Sequence, residues 1–431
     1  MHFSEIVRNV FLCYFKVLLE YCLGGFSGIF AKNITIMKLY RIIPLTLLAV
    51  AVIVGCNPSR EQQVLDALQR GISIAAEGFK ANAAACDTLN RFPRTYENGR
   101  LVTVDAYDWT SGFFAGDLWL AYELTADKTL EAAARKYTSM LHDIKDFTGH
   151  HDLGFMIYCS YGRQWENFQE PEVLQVIIDA ANSLCTRFNP EIGQIRSWDF
   201  GEWNYPVIVD NLMNLEMLFF ATRMTGDRKY YDVAVKHADT TLENHFRPDG
   251  SSYHVVSFNN DGTVESKGTF QGFAHESSWA RGQAWTVYGY TMCYRETGDE
   301  KYLAQAEHIA AYIMNSVQTE DKIPYWDYHD TAIPDAPRDA SAAAVTASAL
   351  LELSLLTKDE DKSKSYVTYA EDILLSLSSP EYMAEEGNGN FLLRHSVSHK
   401  PLNSEVDVPL VYADYYYLEA AQRYMTIKTD K

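Results

Sequence analysis

The sequence predicts an all-α protein, a closed (α/α)6 barrel in which six helical hairpins form a toroid, and three observations support this. A short turn signature recurs, helical stretches follow one another along the chain, and amphipathic stretches alternate with stretches that are apolar nearly all round. Amphipathic helices suit an outer ring, and helices that are apolar all round suit a buried inner ring. An open α-solenoid also stacks helix pairs, but unequal repeat spacing and long inserts favour the closed barrel.

The turn signature joins the helices in pairs. It is Thr-Ala-Asp at 125–127 and Thr-Gly-Asp at 225–227 and 297–299, with a weaker copy, Thr-Lys-Asp, at 357–359. Glycine accepts the left-handed conformation that often ends a helix, and aspartate caps the helix that follows. We therefore expect tight helix–helix turns at these positions.

The pattern predicts about twelve helices, which begin near residues 60, 110, 128, 154, 171, 208, 228, 279, 300, 341, 361 and 410. The stretches Ile208–Thr222 and Ala342–Leu356, which precede turns, are apolar nearly all round, whereas the stretches after the turns have one apolar face. The inserts at 190–207, 246–278 and 319–340 contain Gly, Pro and alternating patterns, so short strands are expected in them.

Composition limits the function classes. The chain has 57 Asp plus Glu against 37 Lys plus Arg, a formal net charge of -20, so a nucleic-acid-binding role is not expected. A hydrophobic fraction of 47% suits a large core. Aromatic residues make up 13% of the chain, and aromatic faces both fill cores and stack on sugar rings.

The N-terminal region reads as a targeting segment. A basic stretch from Met37 to Arg41 precedes an apolar run, 42–54, that ends at Gly55-Cys56. This is typical of a bacterial lipoprotein signal, so we expect 1–55 to be the signal region, with 1–36 lying upstream of an alternative start. Cys56 becomes the lipidated N-terminus, 56–87 a tether and first helix, and 88–431 the barrel, which forms one domain with that helix. The expected location is the cell envelope, on the outer membrane and facing the periplasm or the exterior. A transmembrane anchor is the alternative, but the apolar run is short.

Side chains suited to chemistry gather where loops lead into the apolar helices. They stand in Asp108–Phe113, His150–Phe155, Asp210–Asn211 and Trp279–Trp285. In a closed toroid the inner helices begin at one end, so we expect these segments to meet at one mouth. Carboxylates, Trp, His and Arg together are typical of a sugar-binding cleft.

Several of these residues also allow a structural reading. Asp108 is equally suited to capping its helix. Asp210 lies in an apolar stretch where an unpaired charge is costly, which favours a functional role. Adjacent histidines without a third ligand disfavour a metal site. Arg338-Asp339 and Asp414 are expected to tie helix ends together. The disulfide status of four further cysteines stays open, namely Cys86, Cys159, Cys185 and Cys293.

From about residue 88 to 425 the chain resembles the unsaturated glucuronyl hydrolases, glycoside hydrolase family 88. The resemblance rests on an ordered set of motifs: Asp108–Phe113, His150–Phe155, Ile208–Leu212, Ser251–His254, Trp279–Trp285, Tyr325–Asp327 and Arg338–Ala342. It implies the (α/α)6 barrel and an enzyme that removes a 4,5-unsaturated uronic acid from the non-reducing end of oligosaccharides left by polysaccharide lyases. It also implies hydration of a vinyl ether, without a cofactor or a metal.

The resemblance also assigns site residues. Asp210 matches the general acid/base of the family, and Asp152 matches its second essential aspartate. The substrate-binding positions carry over to seven residues: Trp109, His151, Trp198, His254, Gln271, Arg281 and Trp285. The chain departs from the family at Phe270, where a His is common, and in the loop 272–278. These departures bear on the leaving sugar, the linkage and sulfate preference.

Three other functions were weighed. An unsaturated rhamnogalacturonyl hydrolase would have the same fold and chemistry but act on pectin fragments. A sugar 2-epimerase would need paired histidines and would leave both aspartates without a role. A glycan-binding lipoprotein without catalytic activity would have no use for Asp210 in an apolar stretch. Oligomeric state is not predicted.

Overall fold

A computed structural model of the chain describes residues 58–429. The predicted signal region and the lipidation residue Cys56 lie outside these residues. From Arg60 onward the chain forms one compact unit. None of the helices in this described part is long and apolar enough to cross a membrane.

Between Arg60 and Thr429 the chain forms twelve main helices at the predicted places, besides two short 3-10 helices, His142–Asp146 and Lys400–Leu402. Their bounds are α1 Arg60–Ala85, α2 Ser111–Thr125, α3 Lys128–Ser139, α4 Gly154–Gly162 continued by Arg163–Phe168, α5 Pro171–Cys185, α6 Val209–Asn214 continued by Leu215–Thr225, α7 Arg228–Asn244, α8 Ala280–Thr297, α9 Glu300–Ser316, α10 Ala340–Leu356, α11 Glu360–Leu377 and α12 Val411–Thr429. The first part of α4 is a π-helix and the first part of α6 a 3-10 helix. Both irregular turns lie at the starts of inner helices.

The helices form two rings. The even-numbered helices are buried along most of their length, whereas the odd-numbered ones bury a single face. Each even-numbered helix packs against the next, and α12 packs against both α10 and α2. The inner ring therefore closes on itself, which confirms the predicted all-α (α/α)6 barrel and rules out an open solenoid.

The recurring signature forms the predicted turns. Ala126, Gly226 and Gly298 adopt left-handed conformations with φ of 58°, 74° and 69°. The aspartate that follows each of them accepts a hydrogen bond from a backbone N–H in the first turn of the next helix. In the fourth copy Thr357 is extended instead, but Asp359 still caps α11.

Short strands occupy two of the predicted inserts. A three-stranded antiparallel sheet joins β5 (Pro206–Ile208), β6 (Val255–Phe258) and β7 (Val264–Gly268), while the pair β3 (Phe188–Asn189) and β4 (Gln194–Ile195) precedes it. Two further hairpins lie outside the predicted inserts: β1 (Phe92–Glu97) with β2 (Arg100–Val104), and β8 (Ser396–His399) with β9 (Ser404–Val408). In the third insert, 319–340, only isolated bridges form among the described residues.

The sixth helix begins one residue after its predicted start near 208. The sequence placed Ile208 at the start of a helix, but it is the last residue of β5 and pairs with Val255. The helix starts at Val209, as a 3-10 turn. A short apolar run in a sequence is compatible with either a buried strand or a buried helix. Here the pairing with β6 makes Ile208 part of a strand.

Candidate active site

The starts of the inner helices meet at one end of the barrel, as predicted. The Trp109 ring, before α2, lies 5.6 Å from that of Phe155 in α4 and 5.0 Å from that of Tyr412 in α12. Phe155 in turn lies 5.2 Å from Trp285 in α8. These ring contacts join the starts of α2, α4, α8 and α12. The two predicted catalytic aspartates lie close enough for the charge of Asp152 to raise the pKa of Asp210.

Asp210 occupies the first turn of α6 and is nearly buried, with 11% of its side chain exposed. Burial raises the pKa of its carboxyl group to about 7; the Arg281 charge lowers this pKa, and the Asp152 charge raises it further. Its Oδ2 atom has no hydrogen-bond partner within the described part of the chain. A carboxyl group that is protonated near neutral pH and has an unengaged oxygen is suited to donating a proton.

The Trp285 indole lies next to Asp210. Its proximity lowers the pKa of that carboxyl group, yet its Nε1 forms no hydrogen bond of normal geometry among the residues described. The indole N–H thus lies near the carboxyl group without a direct hydrogen bond to it.

His254 also lies next to Asp210, with its Nε2 atom 3.5 Å from the Oδ2 of Asp210. Its Nδ1 accepts hydrogen bonds from the backbone N–H groups of Phe270 and Gln271, at 3.1 and 3.2 Å. Nδ1 is therefore unprotonated and Nε2 carries the hydrogen, which points toward the carboxyl group. Burial lowers the pKa of His254 well below its ordinary value, so the ring is neutral.

Asp152 precedes α4 and is bracketed by two histidines. His150 Nδ1 lies 3.2 Å from its Oδ2, and His151 Nε2 lies 3.3 Å from its Oδ1. Burial by itself raises the pKa of Asp152, but the neighbouring rings outweigh it and the pKa falls below its ordinary value. Burial lowers the pKa of His150, but the hydrogen bond between its ring and Asp152 raises it, and the net pKa lies above the ordinary value. Near neutral pH the site thus holds an ionised Asp152 and an Asp210 that is about half protonated.

His151 is fully buried, and burial lowers its pKa to about 4. Its backbone N–H donates to the carbonyl of Ser197 at 3.1 Å, which ties the Asp152 loop to the loop of Trp198. A neutral ring is a hydrogen-bonding group here rather than a cation.

A second aromatic group lies beside His254. Trp198 is stacked on Phe200, with ring centroids 5.1 Å apart and planes 13° apart, and both contact Phe270. Trp203 packs edge-on against Trp198, and His399 edge-on against Phe270. Phe200 is 54% exposed, so this group forms a half-open aromatic wall at the mouth.

Arg281 is fully buried in the first turn of α8. Its guanidinium binds Asp339 Oδ2 at 3.3 Å, the Ser398 carbonyl at 2.7 Å and the Val397 carbonyl. The Gln271 side chain donates to the same Ser398 carbonyl at 3.2 Å. Both residues therefore lie beside the site, and in this structure their side chains anchor β8.

Of the three predicted helix-end ties, only that of Asp339 joins two helix starts, since it caps α10 and binds Arg281 of α8. Arg338 and Asp414 bind loop residues instead. Asp339 caps α10 through the N–H groups of Ser341 and Ala342. Arg338 binds Asp321 at 3.0 Å. Asp414 accepts hydrogen bonds from the backbone N–H groups of Leu392 and Leu393 at 2.8 and 2.9 Å.

Asp108 accepts from the N–H of Thr110, so it shapes the turn before α2. Arg94 binds the same carboxylate through both of its oxygens. Asp108 is therefore a structural residue, but it does not cap α2: the N-cap is Thr110, and no side chain of the described residues caps the helix.

Sequence reasoning missed several residues of the site. Asn214 Oδ1 accepts from the N–H groups of Gly154 and Phe155, which joins the starts of α4 and α6. Phe200, Trp203 and His399 belong to the aromatic wall. The crowding of Trp and Phe at 198–203 was a visible signal; the contact of Asn214 was not, because it joins residues 60 positions apart.

Two other features were considered as sites. No three His, Cys, Asp or Glu side chains among residues 58–429 gather as metal ligands, and the four cysteines of that range are free thiols. A polar cavity of about 160 Å³ lies deeper in the barrel, between the inner helices. Its charged groups pair with one another, as in Arg163 with Glu419 at 2.9 Å.

Comparison with known proteins gives concordant results. A family model for Glycosyl Hydrolase Family 88 matches residues 84–426. An unsaturated glucuronyl hydrolase of Formosa agariphila is 47% identical over 344 residues, which are 78% of this chain and 84% of that protein. An unsaturated chondroitin disaccharide hydrolase of Streptococcus agalactiae is 36% identical over 339 residues, 77% of this chain and 85% of that protein.

Solved structures agree in fold. An unsaturated glucuronyl hydrolase specific for heparin matches with a TM-score of 0.81 and 48% identity, covering 84% of this chain and 98% of that one. The glucuronyl hydrolase of Bacillus sp. GL1 matches with a TM-score of 0.78 and 31% identity, covering 83% and 96%. The likeness extends over nearly the whole length of both relatives.

Proposed function

Because the chain belongs to glycoside hydrolase family 88, we propose that it removes a 4,5-unsaturated uronic acid from the non-reducing end of lyase-generated oligosaccharides of the glycosaminoglycan type. Relatives named for glucuronyl, chondroitin disaccharide and heparin substrates support this substrate class. The observation that carries the proposal is the carboxyl group of Asp210, whose pKa burial raises to about 7 beside an Asp152 whose pKa is lowered.

We propose that the reaction begins with proton donation from Asp210 to C4 of the unsaturated sugar. The C4–C5 double bond supplies the electron pair of the new C–H bond, and positive charge develops on C5 and the ring oxygen. Asp210, now ionised, takes a proton from water as the water oxygen bonds to C5. The hemiketal then opens: the bond between C5 and the ring oxygen breaks, the C5 hydroxyl becomes a ketone, and its proton passes to the former ring oxygen. The hemiacetal left at C1 then releases the next sugar. No covalent intermediate with the enzyme is needed.

Asp152 is assigned a stabilising role in this scheme. A carboxylate held ionised by its histidine neighbours opposes the positive charge that develops on the sugar ring. The low pKa of Asp152 and the raised pKa of Asp210 follow the rule that paired carboxyl groups with diverging pKa values divide acid and charge-stabilising roles.

The remaining predicted residues are assigned to binding. The Nε2–H of His254 is positioned to hold the Asp210 carboxyl group and the substrate together. Trp109, which is partly exposed, and Trp198, which is nearly buried, are assigned to contact the faces of the sugar rings. Trp285 is fully buried, so its indole is assigned to the support of Asp210 rather than to stacking. His151 and Gln271 supply polar groups, and Arg281 supplies positive charge to an anionic sugar in a protein of net charge -20.

The test follows ultraviolet absorbance while the protein is mixed with unsaturated disaccharides from chondroitin, hyaluronan, heparin and pectin lyase digests. The conjugated double bond absorbs and the hydrated product does not. We expect loss of absorbance with the glycosaminoglycan substrates and a decrease of about 10²–10⁴-fold in kcat for Asp210→Asn. Asp143→Asn, at an exposed aspartate, is the matched control and should retain full activity.

Other outcomes would redirect the assignment. A clear preference for the pectin fragments would favour a rhamnogalacturonyl substrate. Binding without any loss of absorbance, unchanged in Asp210→Asn, would contradict hydrolysis and favour a glycan-binding protein.

We propose further that the protein is a lipoprotein of the cell envelope, attached through Cys56. The basic stretch, the apolar run and the Gly55-Cys56 junction support this. An envelope location places the enzyme where oligosaccharides from extracellular or periplasmic lyases arrive.

A further inference from the structure

Arg187 is an almost buried cation that none of the assignments above uses. It follows α5, and 7% of its side chain is exposed. Its guanidinium makes three contacts with two parts of the chain. Nη1 donates to the Thr148 carbonyl at 2.5 Å, whereas Nε donates to the Arg196 carbonyl at 2.8 Å and Nη1 binds Asp199 Oδ2 at 3.0 Å.

These contacts join the two loops that carry the site. Thr148 lies at the start of the loop that leads to Asp152. Arg196 and Asp199 bracket the loop that carries Trp198. Arg196 also binds Asp199, at 3.0 Å, so one carboxylate holds both arginines.

Hydrogen bonds also connect the Trp198 loop to the segments that carry Asp152 and Asp210. The carbonyl of Ser197 accepts from the N–H of His151 at 3.1 Å, and its hydroxyl oxygen accepts from the N–H of Ile208 at 3.0 Å. Ile208 lies two residues before Asp210. A shift of the Trp198 loop would therefore reach both aspartates.

We infer that Arg187 is a positioning residue for this reaction: it fixes the Asp152 loop against the Trp198 loop and places a permanent positive charge behind Asp152. The inference rests on the proposed function, because it assumes that Asp152 acts as an ionised group.

The positive charge of Arg187 shifts the pKa values of the neighbouring groups in the same direction. The groups that face Asp152 are His150, His151, Asp210 and the Arg187 charge. Arg187 lowers the pKa of Asp152 and also the pKa values of both histidines. Loss of this charge therefore raises the pKa of every one of these three groups. Whichever of them sets the acidic limb of the pH profile, that limb moves to higher pH.

The test compares pH profiles of kcat/KM for Arg187→Gln, Arg187→Lys and Asp199→Asn in the full chain. We expect Arg187→Gln to move the acidic limb up by about half a pH unit and to lower kcat/KM about tenfold. Arg187→Lys keeps the charge but loses the forked contacts, so kcat/KM falls while the limb stays in place. Asp199→Asn uncovers the Arg187 charge and should move the limb to lower pH.

The outcomes separate the inference from simpler explanations. A purely structural role predicts a lower thermal midpoint with the same acidic limb in all three variants, and that result would overturn the inference. An equal shift of the limb in Arg187→Gln and Arg187→Lys would also overturn it. If Arg187→Gln does not fold, the other two variants still test the inference. Asp199→Asn changes a half-exposed carboxylate, and Arg187→Lys keeps the charge. A parent protein without turnover would instead refute the proposed function.

Discussion

At the residue scale, the site depends on a carboxyl group that the fold keeps from ionising. Asp210 is nearly buried beside the neutral ring of His254, and both groups have buried atoms that no other described residue satisfies. Such an arrangement costs folding free energy, because an ionised carboxyl group is poorly solvated there. The same cost is what provides an acid at neutral pH, so function and stability should oppose each other at this residue.

This opposition predicts a pH-dependent stability difference. The pKa of Asp210 is about 7 in the folded protein and about 3.9 in the unfolded chain, so the stability of the parent that depends on the protonated group is fully present below about pH 4 and is lost as pH rises through about 7. Asp210→Asn removes this loss. We expect the variant to gain about 2–4 kcal/mol over the parent at pH 8 and little at pH 4.

Denaturant unfolding of both proteins at pH 4 and pH 8 measures the difference. Asp143→Asn serves as the control, since 92% of that side chain is exposed. A gain of the same size at both pH values would show that Asp210 is not held protonated by burial.

At the element scale, the site is assembled by close contacts between the first turns of inner helices. A Cβ atom at Gly154 would lie 2.5 Å from the Cα of Asn214, and one at Gly289 would lie 2.6 Å from the Cβ of Leu212. Glycine at these positions lets α4 and α8 approach α6 closely. The start of α6, where Asp210 lies, is held between these two helices.

We therefore expect Gly154→Ala to push α4 away from α6, because the neighbouring atom belongs to the backbone and cannot rotate aside. The expected cost is about 1–3 kcal/mol of stability, with a lower kcat because Asp152 and Asp210 separate. Gly162→Ala, in the same helix, is the matched control: its Cβ would meet only the Tyr158 side chain, at 3.0 Å. Denaturant unfolding and the absorbance assay measure both effects. Equal loss in the two variants would argue against a special contact at Gly154.

The elements were predictable to the extent that they depend on local patterns. Helical periodicity and the turn signature gave all twelve helices, because α7 or α9 needs only one apolar face to be identified. A short strand was expected in the insert 190–207, but the pairing of Pro206–Ile208 was not predictable, since its partner β6 is more than 45 residues away in sequence. The sequence indicated Asp210 and His254 as site residues. It did not indicate the tautomer of His254, because that depends on hydrogen bonds from the distant backbone N–H groups of Phe270 and Gln271.

At the scale of the whole molecule, a closed ring of helices gives the site rigid support, and the N-terminal segment provides its proposed attachment. The barrel begins at Arg60, only four positions after Cys56. If Cys56 is lipidated, the barrel is held close to the membrane surface.

The attachment is tested by metabolic labelling with a fatty-acid analogue in a bacterial host. We expect the full chain to be labelled and to partition with membranes, and Cys56→Ser to be unlabelled. Cys86→Ser is the control, because Cys86 is a buried residue directly after α1 and should not affect labelling. Labelling that persists in Cys56→Ser would contradict the lipoprotein assignment.

The central claim, that Asp210 protonates C4 of a vinyl ether, is tested most directly by running the reaction in deuterium oxide and following the first turnovers by proton NMR. The account predicts a product that carries one deuterium at C4 and has lost the double bond, with the isolated product kept in the same solvent to correct for exchange. Release of an unsaturated uronic acid with its double bond intact and no deuterium at C4 would contradict the account, since it would mean direct displacement at C1.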